Sequence, residues 1–246
     1  MKTAPRPPFS AQRGFTVSEV VITLTIAMLA MGMAVTTFST SLRTMYRDGA
    51  RLETNATLRY VLSHLSQETL DASTFYLFPD YRQLDGSVDL ETDISTEETD
   101  AFGADLRHGD CLVLVTRVSV DESSNVRKFR IYYRAVTSPN TIGALRYYQS
   151  QDWGTSGTTT PIATLLNAVN LRSNPNLAGT REIAERTRGR LRAGSTTDCY
   201  PIFSAETSEE TSRNEYVSIN IEVINGNATT NLLSSSSFNY TISPRQ

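Results

Sequence analysis

Cysteine and histidine are almost missing from this sequence: there are two of each among 246 residues. That excludes a disulfide-rich scaffold and leaves too few ligands for a Cys/His zinc site. A surplus of basic charge is missing too. The formal net charge is −3, so no global positive field calls for nucleic acid, and no nucleic-acid partner is expected. Neither a nucleophile elbow nor a phosphate-loop pattern occurs. His64 and His108 have no Ser or Cys partner at a recognisable catalytic spacing. An enzyme is not expected, and no cofactor is called for. Two further absences concern the N-terminal end. No acidic residue precedes Glu19, and no proline stands between Pro8 and Pro79.

What is present begins with a short cationic segment. Met1 to Gly14 carries Lys2, Arg6 and Arg13, and Pro5, Pro7 and Pro8 argue against a helix there. An apolar stretch follows from Phe15 to Leu42. As a helix rising about 1.5 Å per residue it would reach about 42 Å, more than the ~30 Å hydrocarbon core of a bilayer. The cationic end should stay cytoplasmic and the remainder should be translocated. A cleaved secretory signal is one reading, with Ala30 to Ala34 as a weak small-residue site, and a plain uncleaved anchor is another. Glu19 stands out in either case. A carboxylate within a helical span costs roughly 2.5–3.5 kcal/mol on insertion scales. Val20, Val21, Ile22, Leu24, Ile26 and Leu29 each return a few tenths and keep the span insertable. Glu19 could snorkel to the headgroups, but an intramembrane acid is by default a functional residue in need of a partner.

The string "GFTVSE" (Gly14 to Glu19), set before an uncharged apolar helix and after a short basic leader, resembles the N-terminus of type IV pilin-like proteins, including the type II secretion pseudopilins. The resemblance implies cleavage between Gly14 and Phe15 by a prepilin peptidase that also methylates the new amine of Phe15. It further implies that Glu19 neutralises the N-terminal amine of a neighbouring subunit during assembly. The implied partners are that peptidase/methylase, other pilin or pseudopilin subunits, an inner-membrane assembly platform and membrane lipid. Ser18 departs from the pattern, where an aliphatic residue is commoner. The implied location is the inner membrane, single pass, with the C-terminal domain extracytoplasmic and later on a filament. On that topology the domain faces an oxidising compartment, so a disulfide between Cys111 and Cys199 is expected, with two buried free thiols as the alternative.

Beyond Arg43 the pattern turns amphipathic. Leu58, Val61, Leu62, Leu65 and Ala72 recur at helical spacing, with Arg59, Ser63, Gln67 and Glu68 between them. The spacing predicts one helix over 15–73, roughly 88 Å long, its span at 15–42 and its later apolar stripe lying against a sheet. An acidic connection follows between Asp80 and Asp110. Its carboxylates make a weak calcium site conceivable at Asp89, Glu91 and Asp93, but "DLETDISTEETD" has no EF-hand spacing and reads as a solvated loop.

Strands come next. "CLVLVTRV" (Cys111 to Val118) reads as a central strand. "KFRIYYRA" alternates, with Phe129, Ile131, Tyr133 and Ala135 on one face and Lys128, Arg130, Tyr132 and Arg134 on the other, and reads as a half-buried antiparallel strand. "ALRYY" follows after a turn. "VSINIEV" puts Val217, Ile219, Ile221 and Val223 inward, and "FNYTI" does the same with Phe238, Tyr240 and Ile242. "PIATLLNAVNL" is a short helix or an apolar strand. "TREIAERTRGRLR", with Arg181, Arg186, Arg188, Arg190 and Arg192, could meet phosphates but reads as a solvated loop or helix face. The expectation is an α+β fold: a leader at 1–14, a helix at 15–73, and an antiparallel sheet domain at 74–246. The segment "FRIYYRAV…GALRYY" is similar to the larger minor pilins and the J-type pseudopilins of type II secretion, which implies a minor filament subunit.

Overall fold

The computed structural model describes residues 14–84, 96–99, 105–119, 124–136, 138–192, 194–195, 197–207, 214–227 and 231–242. Two compact units divide the chain at Asp48/Gly49. One helix, α1 (Val17–Leu70), supplies the first unit and opens the second. The expected helix over 15–73 is thus present, two residues shorter at one end and three at the other. The class is α+β: a long apolar N-terminal helix and a large antiparallel sheet.

In the first unit every described residue of α1 before Ala50 is exposed. Its threonines are satisfied by the helix itself. Thr25, Thr36, Thr37, Thr40 and Thr44 each donate their hydroxyl to the carbonyl four residues back, at 2.8–3.0 Å, and Thr23 does the same to Glu19. That geometry hides the hydroxyl without an outside partner. This helix is long and apolar enough to cross a membrane, with a mean hydropathy of 2.1 over its best window.

The second unit is built on ten strands. They are β1 (Thr74–Phe78), β2 (Thr96–Thr99), β3 (Asp105–Gly109), β4 (Cys111–Arg117), β5 (Val126–Arg134), β6 (Gly143–Gln149), β7 (Arg181–Gly189), β8 (Phe203–Thr207), β9 (Asn214–Asn227) and β10 (Asn231–Ile242). A short helix, α2 (Ile162–Val169), lies between β6 and β7. All pairings are antiparallel, in the order β1-β4-β5-β6-β7-β9-β8-β3-β2, with β10 on the other edge of β9.

Both faces of the central strands are covered. Leu112, Leu114, Tyr132 and Leu145 share one core with Leu58, Val61 and Leu65 of α1. Cys111, Val113, Val115, Phe129, Ile131 and Tyr133 share a second core with Ile162 and Leu166 of α2. This settles β4 as an interior strand and α2 as a helix, and it puts Val217, Ile219, Ile221 and Val223 of β9 inside as expected. It corrects the reading of β5. Its two faces alternate as the sequence says, yet Tyr132, Arg130 and Arg134 are buried as well. Arg134 reaches Asp110, and the other two charges, Arg130 and Lys128, reach partners at the end of the helix. Arg130 pairs with Glu68 and, at 2.9 Å, with Asp71; Lys128 reaches Asp71 at 2.6 Å. Asp71 follows the C-terminus of α1, where a carboxylate opposes the helix dipole. Burial pushes its pKa up, but the hydrogen bonds from Lys128 and Arg130 outweigh that and hold it below the usual value.

Three other readings change. The arginine-rich segment is not a loop or helix face but strand β7, between β6 and β9. It was hard to read because two register shifts against β6 break its alternation. Arg188 pairs with Glu222 of β9 at 2.6 Å, and Arg192 lies over the Tyr200 ring at 4.5 Å. Part of the acidic connection is strand, β2 paired to β3. Tyr240 of β10, expected to face inward, is 38% exposed, on a strand that lies outside β9; the side chains of Phe238 and Ile242 lie outside the described residues.

The expected disulfide is not formed: Cys111 and Cys199 are buried free thiols. Each has its own surroundings. Cys111 is held on β4 within the α2-side core. Cys199 sits in a bridge to Leu191, its N–H donating to Asn140 Oδ1 at 2.8 Å and its thiol to Thr197 O. Burial pushes both thiols above their ordinary pKa, which suppresses the reactive thiolate. In the folded chain both should therefore label slowly at neutral pH. After denaturation without reductant, two thiols per chain should label. Fewer than two would restore the bridge.

The most buried ion pair joins Arg134 of β5 to Asp110, the bend between β3 and β4. Nε to Oδ1 is 3.0 Å and Nη2 to Oδ2 is 2.5 Å, with Arg134 fully buried. Removing one partner should leave an uncompensated buried charge, a cost of about 3–5 kcal/mol. Urea unfolding should show that loss for Asp110→Ala. Arg134→Met added to it should recover part, since the stranded cation is gone.

Candidate processing and assembly site

The residues singled out at the N-terminal end form one small arrangement. Gly14, Phe15 and Thr16 are not helical, and α1 starts at Val17. Thr16 caps it. Thr16 Oγ1 accepts from the backbone N–H of Glu19 at 3.3 Å, and Glu19 Oε2 accepts in return from Thr16 N–H at 2.9 Å and from Thr16 Oγ1 at 2.9 Å. This is a capping box, with Thr at the N-cap and Glu three residues on. The signal was in the sequence as Thr16-Val17-Ser18-Glu19, ahead of an apolar run. It gives Glu19 a local role that the sequence reading missed. The carboxylate also lies in the first turn of α1, where the helix dipole favours negative charge.

Gly14 and Phe15 have no comparable internal reason. A Cβ built on Gly14 would meet nothing within 4 Å, and its φ is not in the left-handed region. Phe15 is 88% exposed. Among the described residues nothing in the packing requires glycine or an aromatic ring at these two positions.

The other candidates are placed elsewhere. Asp89, Glu91 and Asp93 lie outside the described residues. Among the described residues no cluster of three or more His, Cys, Asp or Glu could hold a metal ion. His108 is buried on β3, its ring 5.5 Å from that of Tyr200. His64 lies on the sheet-facing side of α1. Its Nδ1 is 2.8 Å from the Tyr132 hydroxyl, and its ring stands edge-on to Tyr147 with centroids 4.8 Å apart. Searches among protein-family models, curated proteins and solved structures find no match to this chain.

Burial lowers the pKa of His64 below 6.5; Glu68 opposes this, while Arg130 and Arg181 add to it. The unfolded chain therefore binds the proton more readily than the folded one. Stability should fall as pH drops through 6.5 and level off below the folded value. His64→Gln should flatten that part of the pH–stability curve. An unchanged slope between pH 7 and 5 would show that His64 does not titrate with folding.

Proposed function

We propose that this chain is a minor pilin or pseudopilin: a membrane-anchored subunit that works by assembly and not by catalysis. The observation that carries the reading is the pairing of motif and context. Gly14 and Phe15 sit exposed, without internal demand, immediately before an apolar helix of membrane length. Residues that the fold does not need are explained if something outside the chain reads them. A peptidase that cuts between Gly14 and Phe15 and methylates the Phe15 amine would do so. Glu19 would then meet the amine of Phe15 in the next subunit, and the exposed apolar side chains of α1 would lie first in lipid and later against neighbouring helices. The size of the second unit favours a place near a filament tip, in few copies, because a large head repeated along a shaft crowds its neighbours. The retained Glu19 favours a place just below the outermost subunit, where another amine is available.

The capping box favours a second reading, a signal-anchored extracytoplasmic protein whose helix is never cleaved. In that case Glu19 serves only its own helix. Two measurements separate the readings. Mass spectrometry of the membrane fraction should find a chain that begins at Phe15 and carries one added methyl group; an intact N-terminus would overturn the filament reading. Glu19→Gln keeps a side-chain acceptor for the cap and removes the charge. As a filament subunit, the Gln variant should be inserted and cleaved but left out of sheared filaments, as Glu19→Ala should be. Normal incorporation of Glu19→Gln would leave Glu19 only its cap. In the same filaments the chain should be far below one copy per main subunit.

A further inference from the structure

The sheet has three outer strands, and they are not alike. Its path ends on β1 and β2, with five and four residues, and β2 carries Glu97 and Glu98. The third, β10, has twelve residues and pairs only with β9 among the described residues. Natural edges are kept from pairing by shortness, charge, proline or bulges. β1 is short, and β2 is both short and acidic. β10 reads Asn-Leu-Leu-Ser-Ser-Ser-Ser-Phe-Asn-Tyr-Thr-Ile, with no charge and no proline. Its one irregularity lies between Leu232 and Ser234. From Ser234 to Ile242 the register against β9 runs unbroken, and Ser218 Oγ and Thr241 Oγ1 lock it across the pair at 2.9 Å. The outer side of that stretch is a row of backbone donors and acceptors with no charge, proline or bulge over nine residues, and no partner strand among the described residues.

We propose that β10 is a docking edge for the β10 of a second copy of this chain, joined antiparallel across a two-fold axis. Length selects this occupant. A strand pairs only as far as both partners run, and β1 and β2 of another copy are too short to cover β10. Charge does not oppose it: β10 carries none, so no like charges are brought together where the two strands cross the axis. Closure follows, because a two-fold contact uses the same patch on both subunits. The outer strands left on the enlarged sheet are β1 and β2 of each copy, which are short, so the assembly stops at two. Main-chain hydrogen bonds would supply the contact, as in other strand additions. The inference does not rest on the filament reading: it concerns only the second unit and would hold for an uncleaved anchor as well.

The test uses the full chain in detergent. Light scattering with size exclusion should give twice the protomer mass, falling to one protomer on dilution. Amide exchange over 234–242 should quicken in step. Neighbouring residues in a strand send their N–H groups to opposite edges. One of Ser235→Pro and Ser236→Pro therefore removes a bond to β9, and the other only an outward N–H. The outward variant should be monomeric with an unchanged melting temperature. If both prolines lower the melting temperature, the concentration dependence of amide exchange in the unaltered chain decides alone. A chain that is monomeric at every concentration would overturn the proposal, and so would a dimer whose β10 amides exchange no more slowly than in the monomer. Capture of β10 by a strand of a different protein, with no self-association, would also overturn it.

Discussion

The second unit is organised around one buried guanidinium. Arg134 has no contact with water, so every donor it carries must find an acceptor inside the protein. Asp110 takes two of them. The carbonyls of Thr141 and Pro139 take others at 2.9 Å each, and that of Thr187 is 3.4 Å away. Asp110 is tied in return. Its Oδ1 also accepts from Ile202 N–H at 3.0 Å, and its own N–H donates to Pro79 O at 2.9 Å. Six segments are thus fixed at one point: the end of β1, the β3–β4 bend, β5, the turn before β6, β7, and the chain running into β8. An ion pair replaced by well-packed apolar groups often costs nothing or is stabilising. This one also donates hydrogen bonds to three backbone carbonyls, which an apolar side chain cannot do. Its contribution is therefore to geometry more than to net stability.

Charge plays a related part beneath α1. Apolar contacts through Leu58, Val61 and Leu65 press the helix onto the sheet without fixing its rotation. Arg130 and Lys128, caught between Glu68 and Asp71, add directional contacts at its last turn. Thr116 Oγ1 donates to Asp71 O at 3.0 Å and Ser73 N–H to Val115 O at 2.8 Å, so the helix end is also tied to β4 through the main chain. The chain leaves the helix already in register with the strand it will border, β1 against β4. Close packing repeats this at the other side of β4. A side chain on Gly109 would run into the carbonyl of Phe78, so glycine there lets β1 and the β3–β4 bend approach.

This explains what was legible. The long helix was plain because nothing interrupts it, and β4 because a continuous apolar run can only be buried on both sides. The faces of β5 were legible, but their burial was not. Alternating charge normally means water on one side, and only acids supplied from elsewhere, Glu68 and Asp71 at the end of α1 for Arg130 and Asp110 for Arg134, make it mean an ion-paired interior. β7 was hidden for a different reason: its bulges break the two-residue period on which strand reading depends. β1 and β8 are five residues each, too short to show a period at all. The N-terminal site was half legible. Gly14, Phe15 and Glu19 stood out as a motif, while Thr16 passed unremarked because a cap is a relation between two residues and not a feature of either.

That relation bears on how Glu19 could serve two purposes. A carboxylate held by two donors of Thr16 is already hydrogen-bonded before any partner arrives, which lessens the cost of carrying it next to an apolar run. The same box leaves the charge itself uncompensated. Thr16 supplies an amide and a hydroxyl, which solvate an anion but do not neutralise it. An amine arriving from another chain would thus find an acid whose position is fixed and whose charge is still available. On this account the cap and the assembly contact are consecutive states of one residue. The threonine hydroxyls along α1 follow the same logic. Bonded back to their own helix, they ask nothing of the surroundings, so on the proposed reading these hydroxyls would keep their partners whether lipid or protein lies against the helix. On the proposed reading Glu19 would then differ from these hydroxyls in gaining a charged partner on assembly.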